Sequence, residues 1–548
     1  MIDGSMQKFP LTLDKILTHA AKWHSNSEIV TGGKEGVASR ISYTQLAVHA
    51  RCVSSLLDGI GVSIGDRVAT LAWNSQAHLE VWYGIFGMGA VCHTLNPRLM
   101  IPQLSWMVEQ SGARVLIVSA DLVDSAIEIT SRVSSLSHVL IIDGVAGEGN
   151  HGAAQFRLLT PLLEQEFGDF DWGVFSEDAP CGLCFTSGST GAPKGVTYTH
   201  RASFLHTLRL LQSDSLALKS SDSVLPVVPM FHANAWGVPF AVPATGGKLV
   251  LPGRYADGAR LARLIESEKV TVAVGVPTVW LGLAEHLALT RDRLTTLTRI
   301  IVGGAPMPPA LKDRLESELG VIVQTTWGMT ELSPVGTVAV LGDEARAAEF
   351  SGRPALGVDL MIADERGMPL AEQRGSEGRL HVRGASVIER YFGQDTPATN
   401  CDGWFDTGDL ARISDRGDLM ITGRAKDLIK SGGEWINPAE IEAIIGELPQ
   451  IALAAVIGRS DEKWGERPIL LVELRAGQEI SDDELLKALG GRVAPWWLPD
   501  SIIRMHVMPL AATGKIDKIE LRKSFRDSSR SDDERLGVEN EEFPVQRG

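Results

Sequence analysis

The chain of 548 residues is too long for one compact core, which predicts two to four domains. Its 44% hydrophobic and 22% charged residues are ordinary for a globular protein and can fill a large core. The formal net charge of −16 argues against a nucleic-acid backbone or an anionic membrane as the main partner.

The cysteines and the apolar segments favour a soluble protein of a reducing compartment. Five scattered cysteines do not suggest a disulfide framework. Cys181 and Cys184 have CxxC spacing but no second pair or histidine cluster, so a buried strand is a better interpretation than a zinc site. The N-terminus lacks a secretory signal pattern, and the uncharged residues 223–247 hold four prolines that a lipid-spanning helix would not accept. We therefore expect a cytoplasmic protein without an integral membrane span.

Helix and strand patterns alternate along most of the chain. The first helix is predicted at residues 12–24, where Leu13, Ile16 and Ala20 share one face, and another at residues 258–267. Apolar, β-branched runs bounded by turn residues predict buried strands at 115–119, 138–143, 182–185, 224–228, 248–251, 270–274 and 299–302. Strands that alternate with helices indicate parallel α/β layers.

The pattern changes near residues 421–430. Glycine turns and short strands at 378–383 and 417–421 come before this stretch; after it, helices are predicted at 438–448 and 482–489 and strands at 451–457 and 502–505. The expected fold class is α/β, with a large domain of layered sheets that includes a small β-barrel-like part, and a small mobile α+β domain. We place the large domain at 1–423, a hinge at 424–426, the small domain at 427–526 and a disordered tail at 527–548.

The segment from Phe185 to Gly195, FTSGSTGAPKG, is the strongest functional signal. Its glycines let the backbone approach an anion, and its hydroxyl and N–H groups can donate to phosphate oxygens. It is not a Walker A motif, because its lysine follows a proline and is not followed by Ser or Thr. A flexible linker would not end in Pro-Lys-Gly, so a phosphate-binding loop is the better interpretation. Its candidate binding residues are Thr186, Ser187, Gly188, Ser189, Thr190, Gly191 and Lys194.

This loop resembles the signature loop of the adenylate-forming superfamily, which includes acyl-CoA synthetases, luciferases and adenylation domains of peptide synthetases. Further family motifs follow in order: GGAP at 303–306, WGMTE at 327–331, TGD at 407–409, GRAKD at 423–427 and TGK at 513–515. The resemblance spans residues 12–526 and implies an AMP-forming acid–CoA ligase. Such an enzyme converts a carboxylic acid and ATP into acyl-AMP and pyrophosphate, then transfers the acyl group to coenzyme A.

By this resemblance, the middle motifs hold the nucleotide. Trp327 would offer a face for adenine stacking, and Asp409 would accept hydrogen bonds from the ribose. Thr186 and Glu331 would supply oxygen ligands to Mg²⁺, which bridges the phosphates. Trp327 replaces the tyrosine commonest in the superfamily, and Thr325-Thr326 replaces a frequent glycine nearby; these differences bear on substrate shape more than on reaction type. The other nucleotide-site residues implied are Gly303, Gly304, Ala305, Pro306, Thr326, Gly328, Met329, Thr330 and Arg424.

Lys515 is the predicted cation of the first half-reaction, and His232 and Glu331 complete the candidate catalytic set. An ammonium at the α-phosphorus stabilises the negative charge that develops as the carboxylate attacks. Since Lys515 belongs to the small domain, the resemblance implies that this domain rotates about Lys426 after adenylation. The residues then expected near the nucleotide or the pantetheine path are Lys430, Gly433 and Trp435.

The segment MFHANAW at residues 230–236 stands where the family holds its acyl-substrate residues. His232 would line the carboxylate end, with Ala233, Asn234 and Ala235 following it; Trp236 would gate or bound the pocket, and core packing is the alternative for this residue. No Asp or Glu occurs from Ser223 to Ala256, so a substrate ammonium would lack a partner and an apolar acid is favoured. The segment resembles fatty-acyl-CoA ligases and, more closely, 3-methylmercaptopropionate–CoA ligases.

The resemblance leaves alternatives open. We expect a short- to medium-chain apolar acid such as 3-methylmercaptopropionate or a fatty acid; a long-chain fatty-acyl-CoA synthetase and a carrier-protein-loading adenylation enzyme are the alternatives. Asp214-Ser-Leu216 resembles a phosphopantetheine attachment triplet, but no carrier module surrounds it. A luciferase-like enzyme and a non-catalytic nucleotide-binding protein are further rivals. The oligomeric state stays open, with a homodimer as the commonest closed assembly.

Overall fold

The computed structural model of the protein describes residues 3–144, 149–163, 170–186, 193–342, 347–432, 434–461, 463–511 and 514–525. Its α-helices are α1 (Asp14–Trp23), α2 (Tyr43–Gly59), α3 (Gln76–Gly87), α4 (Ile101–Ser111), α5 (Val123–Arg132), α6 (Leu159–Leu163), α7 (His200–Leu210), α8 (Val238–Thr245), α9 (Gly258–Ser267), α10 (Pro277–Thr290), α11 (Pro309–Leu319), α12 (Pro438–Gly446), α13 (Asp482–Leu489) and α14 (Lys518–Phe525). None of the helices in these ranges combines the length and the apolar character that a membrane crossing requires.

The strands up to the third sheet are β1 (Glu28–Gly32), β2 (Val37–Ser42), β3 (Arg67–Leu71), β4 (Val91–Thr94), β5 (Val115–Ser119), β6 (His138–Ile142), β7 (Gly149–His151), β8 (Ala154–Leu158), β9 (Pro180–Phe185), β10 (Gly195–Thr199), β11 (Ser223–Pro226), β12 (Lys248–Leu251), β13 (Val272–Gly275), β14 (Arg299–Val302), β15 (Ile322–Gly328), β16 (Val335–Val338) and β17 (Arg353–Pro354). The later strands are β18 (Val358–Ala363), β19 (Glu377–Gly384), β20 (Phe405–Ile413), β21 (Leu419–Arg424), β22 (Ile429–Ser431), β23 (Glu434–Ile436), β24 (Ile451–Asp461), β25 (Gly465–Leu474) and β26 (Ser501–Met505).

Two large sheets form the N-terminal part. The first has nine strands in the order β17-β16-β15-β14-β13-β11-β12-β1-β2, and the second has eight in the order β10-β9-β4-β3-β5-β6-β8-β7. Pairing is parallel from β15 to β1 and from β9 to β8, and antiparallel at the edges of both sheets. This arrangement confirms the predicted parallel α/β layers.

Two smaller sheets follow. Strands β18 to β21 form an antiparallel sheet in chain order, and the last sheet runs β23-β22-β25-β24, with β26 beside β25. All strands of the last sheet lie beyond the predicted hinge. A large part of layered sheets and a smaller C-terminal α+β part confirm the predicted fold class.

The largest core lies between the two large sheets and explains their layering. Helices α1, α2, α3 and α8 contribute buried apolar side chains to it together with strands of both sheets. Within α3, ten consecutive residues from His78 to Gly87 are buried, so this helix is covered on all sides. Separate cores lie under α9, α10 and α11 beside the first sheet and under α4 and α5 beside the second.

Local signals explain why several predicted elements have the observed bounds. Helix α9 begins where the Asp257 side chain accepts a hydrogen bond from the Arg260 backbone N–H at 3.2 Å, and α13 begins with a capping box of Ser481 and Glu484. The predicted strands at 115–119, 248–251 and 299–302 match β5, β12 and β14. The predicted buried strand with two thiols is also confirmed, because Cys181 and Cys184 lie on β9 and are almost inaccessible.

Several predicted strands have wrong limits, and two of them show why. The strand expected at 224–228 ends at Pro226, because the backbone there turns toward the Asn74 amide, which donates to the Pro226 and Val228 carbonyl oxygens. The strand expected at 270–274 begins at Val272, since residues before it close the turn after α9. The predicted tail at 527–548 lies outside the described residues.

Candidate active site

The candidate site lies at the carboxyl ends of neighbouring parallel strands of the nine-stranded sheet. The GGAP turn at 303–306 follows β14 directly, and Trp327 and Gly328 end β15. The segment with His232 and Trp236 follows β11, which lies two strands from β14 in the sheet order, beyond β13. Ligands of open α/β sheets bind in the crevice outside the carboxyl ends of the strands. The sheet therefore brings three of the predicted motifs to one edge.

Trp327 and Asp409 are in direct contact. The Trp327 indole N–H donates to Asp409 Oδ2 at 2.9 Å, and Arg424 Nε lies 2.6 Å from Asp409 Oδ1. Burial raises the pKa of Asp409, and the charge of Arg424 and the Trp327 hydrogen bond oppose that rise. The three side chains come from β15, β20 and the end of β21. They bring the residue predicted to stack on adenine into contact with the carboxylate predicted to bind the ribose.

Lys515 reaches this site on a tight turn of the small domain. Gly514 has φ +81°, and the Thr278 hydroxyl donates to its carbonyl oxygen at 3.2 Å. A Cβ built on Gly304 would lie 3.6 Å from Lys515 Cε and 3.5 Å from Trp236 Cζ2. The predicted catalytic lysine therefore lies over the GGAP turn, and its lobe is docked on the large one.

The glycines of the GGAP turn provide the room for this contact. Gly304 has φ +79°, a conformation that favours glycine. A Cβ on Gly303 would lie 2.3 Å from Thr326 Oγ1 and 3.1 Å from the Trp236 ring. Any larger residue at 303 would have to displace side chains of the candidate site.

Several charges influence Lys515. Burial lowers the pKa of Lys515 to about 8; Arg424 and Lys426 lower it further, while Asp409 and Glu331 oppose this. For His232, burial and then the Lys515 charge lower the pKa to about 4. Near neutral pH, His232 is therefore uncharged, and Lys515 is mostly the ammonium that phosphate stabilisation needs.

This pKa predicts the pH profile of adenylation. The predicted role of Lys515 requires its protonated form, so kcat/KM for ATP, which reports the free enzyme, should fall about tenfold per pH unit above about pH 8. Bound triphosphate raises a lysine pKa, so the fall in kcat should occur at higher pH. Lys515→Arg stays protonated and should lose this alkaline fall. A wild-type kcat/KM that stays level to about pH 9.5 would contradict the assignment.

The acyl-site segment adopts an unusual backbone. Ala233, Asn234, Ala235 and Trp236 have φ values of 45°, 53°, 46° and 56°, and Gly237 continues at 77°. Left-handed backbone costs about 1–2 kcal/mol for each residue with a Cβ, and such strain concentrates at functional sites. His232 precedes this left-handed turn. Its residues are buried: Trp236 is 8% exposed.

Contacts from the rest of the large domain brace the left-handed turn. The Met230 backbone N–H donates to Asn74 Oδ1 at 2.7 Å, while the Asn74 amide donates to the Pro226 and Val228 carbonyl oxygens. The Thr94 hydroxyl donates to the Phe231 carbonyl oxygen at 3.4 Å. Asn74 and Thr94 were not among the predicted site residues. A polar residue three positions after the end of the buried strand β3 was the available signal for Asn74.

The ends of the phosphate-loop segment are close together. The Thr186 N–H donates to the Lys194 carbonyl oxygen at 2.9 Å, and the Lys194 N–H lies 3.4 Å from Thr186 Oγ1. Lys194 Nζ lies 4.7 Å from the centre of the Tyr391 ring. Five predicted phosphate-binding residues lie outside the described residues: Ser187, Gly188, Ser189, Thr190 and Gly191.

Glu331 is the candidate metal-binding carboxylate. It is 8% exposed, and the Tyr391 hydroxyl donates to its Oε1 at 2.9 Å. Burial raises the pKa of Glu331, and hydrogen bonds and nearby cations oppose this. One bond from Tyr391 uses one of about four acceptor positions of a carboxylate. Within the described residues, no three His, Cys, Asp or Glu side chains form a metal-binding group. A buried carboxylate with acceptor positions beyond the Tyr391 bond is an oxygen donor that fits a Mg²⁺ held mainly by phosphates and water.

The predicted hinge and pantetheine residues fall into two groups. Ala425–Asp427 is a 3-10 turn between β21 and β22, where burial lowers the pKa of Lys426. Lys430 and Trp435 pair across the β22–β23 hairpin, with Lys430 Nζ 5.4 Å from the Trp435 ring centre and Trp435 47% exposed. The first group is the hinge, where the charge of Lys426 acts on Lys515. The second group is the hairpin, where Lys430 and Trp435 contact each other. Gly433 lies outside the described residues.

The chain matches a family of known enzymes over both parts. Residues 17–392 match the AMP-binding enzyme family, and residues 440–515 match the C-terminal domain of AMP-binding enzymes.

Curated relatives cover nearly the whole chain. A 3-methylmercaptopropionyl-CoA ligase of Ruegeria lacuscaerulensis is 38% identical over 96% of this chain and 99% of its own length. A medium-chain-fatty-acid–CoA ligase of Ectopseudomonas oleovorans is 40% identical over 96% and 98%. Among solved structures, ATP-bound MatB from Rhodopseudomonas palustris has a TM-score of 0.84 at 25% identity, over 95% of this chain and 99% of that one. The resemblance seen in the motifs is thereby confirmed.

Proposed function

Since the chain belongs to the AMP-binding enzyme family, we propose that it is an AMP-forming acid–CoA ligase. It joins a carboxylic acid to ATP to form acyl-AMP and pyrophosphate, and then transfers the acyl group to coenzyme A, with release of AMP. Relatives at 38% and 40% identity carry the names of acid–CoA ligases, and ATP is bound in the structural neighbour MatB.

The contact of Lys515 with the GGAP turn is the observation that carries this proposal. A carboxylate bound beside His232 and Trp236 attacks the α-phosphorus, and negative charge develops on the phosphate and on departing pyrophosphate. Lys515 and Trp236 both lie within 4 Å of the Cβ position of Gly304, so the Lys515 ammonium can meet this charge where the acyl and nucleotide sides join. A preorganised cation stabilises the transition state more than the ground state.

The second half-reaction requires a different arrangement of the lobes. In this structure the Thr278–Gly514 hydrogen bond holds the small domain against the large one, with Lys515 at the edge of the site. We therefore assign this arrangement of the lobes to the adenylation step. We propose a rotation of the small domain, residues 427–526, about the hinge at 424–426 and Lys426. That rotation withdraws Lys515 and brings Lys430, Gly433 and Trp435 to the path of the CoA thiol. Few residues need to change their dihedral angles.

The acid is apolar in this proposal. The segment around the left-handed turn contributes no carboxylate to pair with a substrate ammonium, so an amino acid would bind at a cost. A short- to medium-chain acid, 3-methylmercaptopropionate or a fatty acid, agrees with the names of the relatives. A long-chain fatty acid is the second candidate, because a long-chain ligase of Thermus thermophilus is 36% identical over 95% of the chain.

Mg²⁺, the cell compartment and the assembly are parts of the same proposal. When bound with ATP, Mg²⁺ supplies charge neutralisation to the phosphates, with Glu331 and Thr186 as its protein ligands. Five scattered cysteines agree with the reducing cytoplasm. We propose a homodimer as the assembly to be tested by light scattering.

A coupled pyrophosphate assay tests the function. It compares short-chain, medium-chain, long-chain, aromatic and thioether acids, with and without CoA, and identifies the thioester by mass spectrometry. We expect ATP- and acid-dependent turnover that requires CoA, with the highest kcat/KM for a short- to medium-chain apolar acid. Acylation of a carrier protein in place of CoA, emission of light, or no turnover with any acid would each contradict the proposal.

A further inference from the structure

The segment from Ile388 to Phe392 connects two motifs of the candidate site. The Ile388 N–H donates to the Glu331 carbonyl oxygen at 2.8 Å, and the Phe392 N–H donates to the Gly195 carbonyl oxygen at 2.8 Å. Glu331 lies just beyond β15 of the first large sheet, whereas Gly195 begins β10 of the second. The segment is therefore a backbone bridge between the metal-site glutamate and the end of the phosphate loop.

The side chain of Tyr391, which lies on this bridge, contacts both Glu331 and Lys194. Its hydroxyl donates to Glu331 Oε1 at 2.9 Å, and its ring lies 4.7 Å from Lys194 Nζ. The first contact is a hydrogen bond to a carboxylate, the stronger class of hydrogen bond. The second is a cation–π contact. One aromatic residue thus contacts both the carboxylate assigned to Mg²⁺ and the lysine assigned to the phosphates.

We infer that Tyr391 is a positioning residue of the metal–triphosphate site, orienting Glu331 through its hydroxyl and Lys194 through its ring. This inference rests on the proposed function for the identity of the ligand. Tyr391 itself transfers no proton and touches no reacting atom in this role. It limits the rotamers of two flexible side chains before MgATP arrives, which reduces the entropy lost on binding.

The bridge offers a way to separate positioning from folding. Its backbone hydrogen bonds belong to Ile388 and Phe392, so they do not depend on the Tyr391 side chain. Tyr391→Phe keeps the ring and the Lys194 contact but removes the bond to Glu331. Tyr391→Leu removes both. Tyr255→Phe is the matched control, since Tyr255 lies over Arg260 at the start of α9, away from these motifs.

The experiment measures ATP binding by calorimetry in Mg²⁺ and in EDTA for these full-length variants. For Tyr391→Phe we expect about ten- to hundredfold weaker binding of MgATP, the size expected for a lost hydrogen bond to a charged group, and unchanged binding of metal-free ATP. For Tyr391→Leu we expect weaker binding under both conditions. The Mg²⁺ concentration for half-maximal pyrophosphate release should rise for Tyr391→Phe, while thioester formation from supplied acyl-adenylate stays the same.

Other outcomes would overturn the inference. MgATP binding by Tyr391→Phe within twofold of wild type would show that the hydroxyl does not act on the metal site. An equal loss with and without Mg²⁺, or a matching fall in melting temperature, would show a structural role only. If the wild type bound MgATP but turned over no acid, the proposed function would fail while the Tyr391 measurement still stood. Absence of MgATP binding by the wild type would overturn both.

Discussion

Replacing Lys515 with alanine should reduce acyl-adenylate formation by about a hundredfold or more, the range for losing one preorganised electrostatic group. Lys515 lies over the GGAP turn next to Trp236, with Asp409 and Glu331 among its charged neighbours. The loss should appear in kcat, because the ammonium acts on charge that develops in the transition state. Acid-dependent exchange of labelled pyrophosphate into ATP measures this half-reaction alone.

The second half-reaction separates catalysis from damage to the fold. With supplied acyl-adenylate and CoA, Lys515→Ala should form thioester at close to the wild-type rate. Lys523→Ala is the matched control, because Lys523 is an exposed lysine of the same domain on α14. The assignment fails if Lys515→Ala retains full pyrophosphate exchange, or if it loses both half-reactions together.

Replacing Asp409 with alanine should weaken both half-reactions, unlike the change at Lys515. Asp409 is 2% exposed and holds the Trp327 indole and Arg424. If it accepts bonds from two ribose hydroxyls, each worth about 1.5–3 kcal/mol to a charged group, kcat/KM for ATP should fall by about a hundredfold or more. The same ribose is part of the acyl-adenylate, so KM for that intermediate should rise as well.

Two further variants make the Asp409 test decisive. Asp409→Asn keeps the size of the side chain and should show the same direction of change if the alanine variant unfolds. Asp406→Ala removes a more exposed carboxylate of the same strand, which pairs with Arg379, and should leave KM for ATP unchanged. An unchanged KM for ATP in Asp409→Asn would remove Asp409 from the ribose site.

Short-range signals explain how far the sequence predicted the fold. Helices α9 and α13 were predicted with their observed bounds, because Asp257 and Ser481 cap them locally. The limits of β11 were not, since its end depends on hydrogen bonds from Asn74, more than 150 residues away. Periodicity reports which face of an element is buried; it does not report which distant side chain ends it.

The candidate site likewise has a part that the sequence predicted and a part that it did not. Motif order predicted that Trp327, Asp409 and Lys515 meet, and the structure brings them together from three separate parts of the chain. Tyr391 was missed because its role comes from a contact with Glu331, 60 residues away, and no local pattern marks it. The left-handed turn was missed as well, because Ala, Asn, Ala and Trp in sequence do not predict positive φ angles.

If the left-handed turn lines the acyl pocket as proposed, it restricts how the acid preference of this enzyme can diverge. At Ala233, Ala235 and Trp236, side chains branched at Cβ would oppose the backbone conformation, so Val, Ile and Thr are poor replacements there. Thr94 and Cys184 carry no such restriction, because they lie on regular strands and contact the Phe231 carbonyl oxygen just before the turn. Directed evolution toward a new acid should therefore accept more diverse residues at 94 and 184 than on the turn itself.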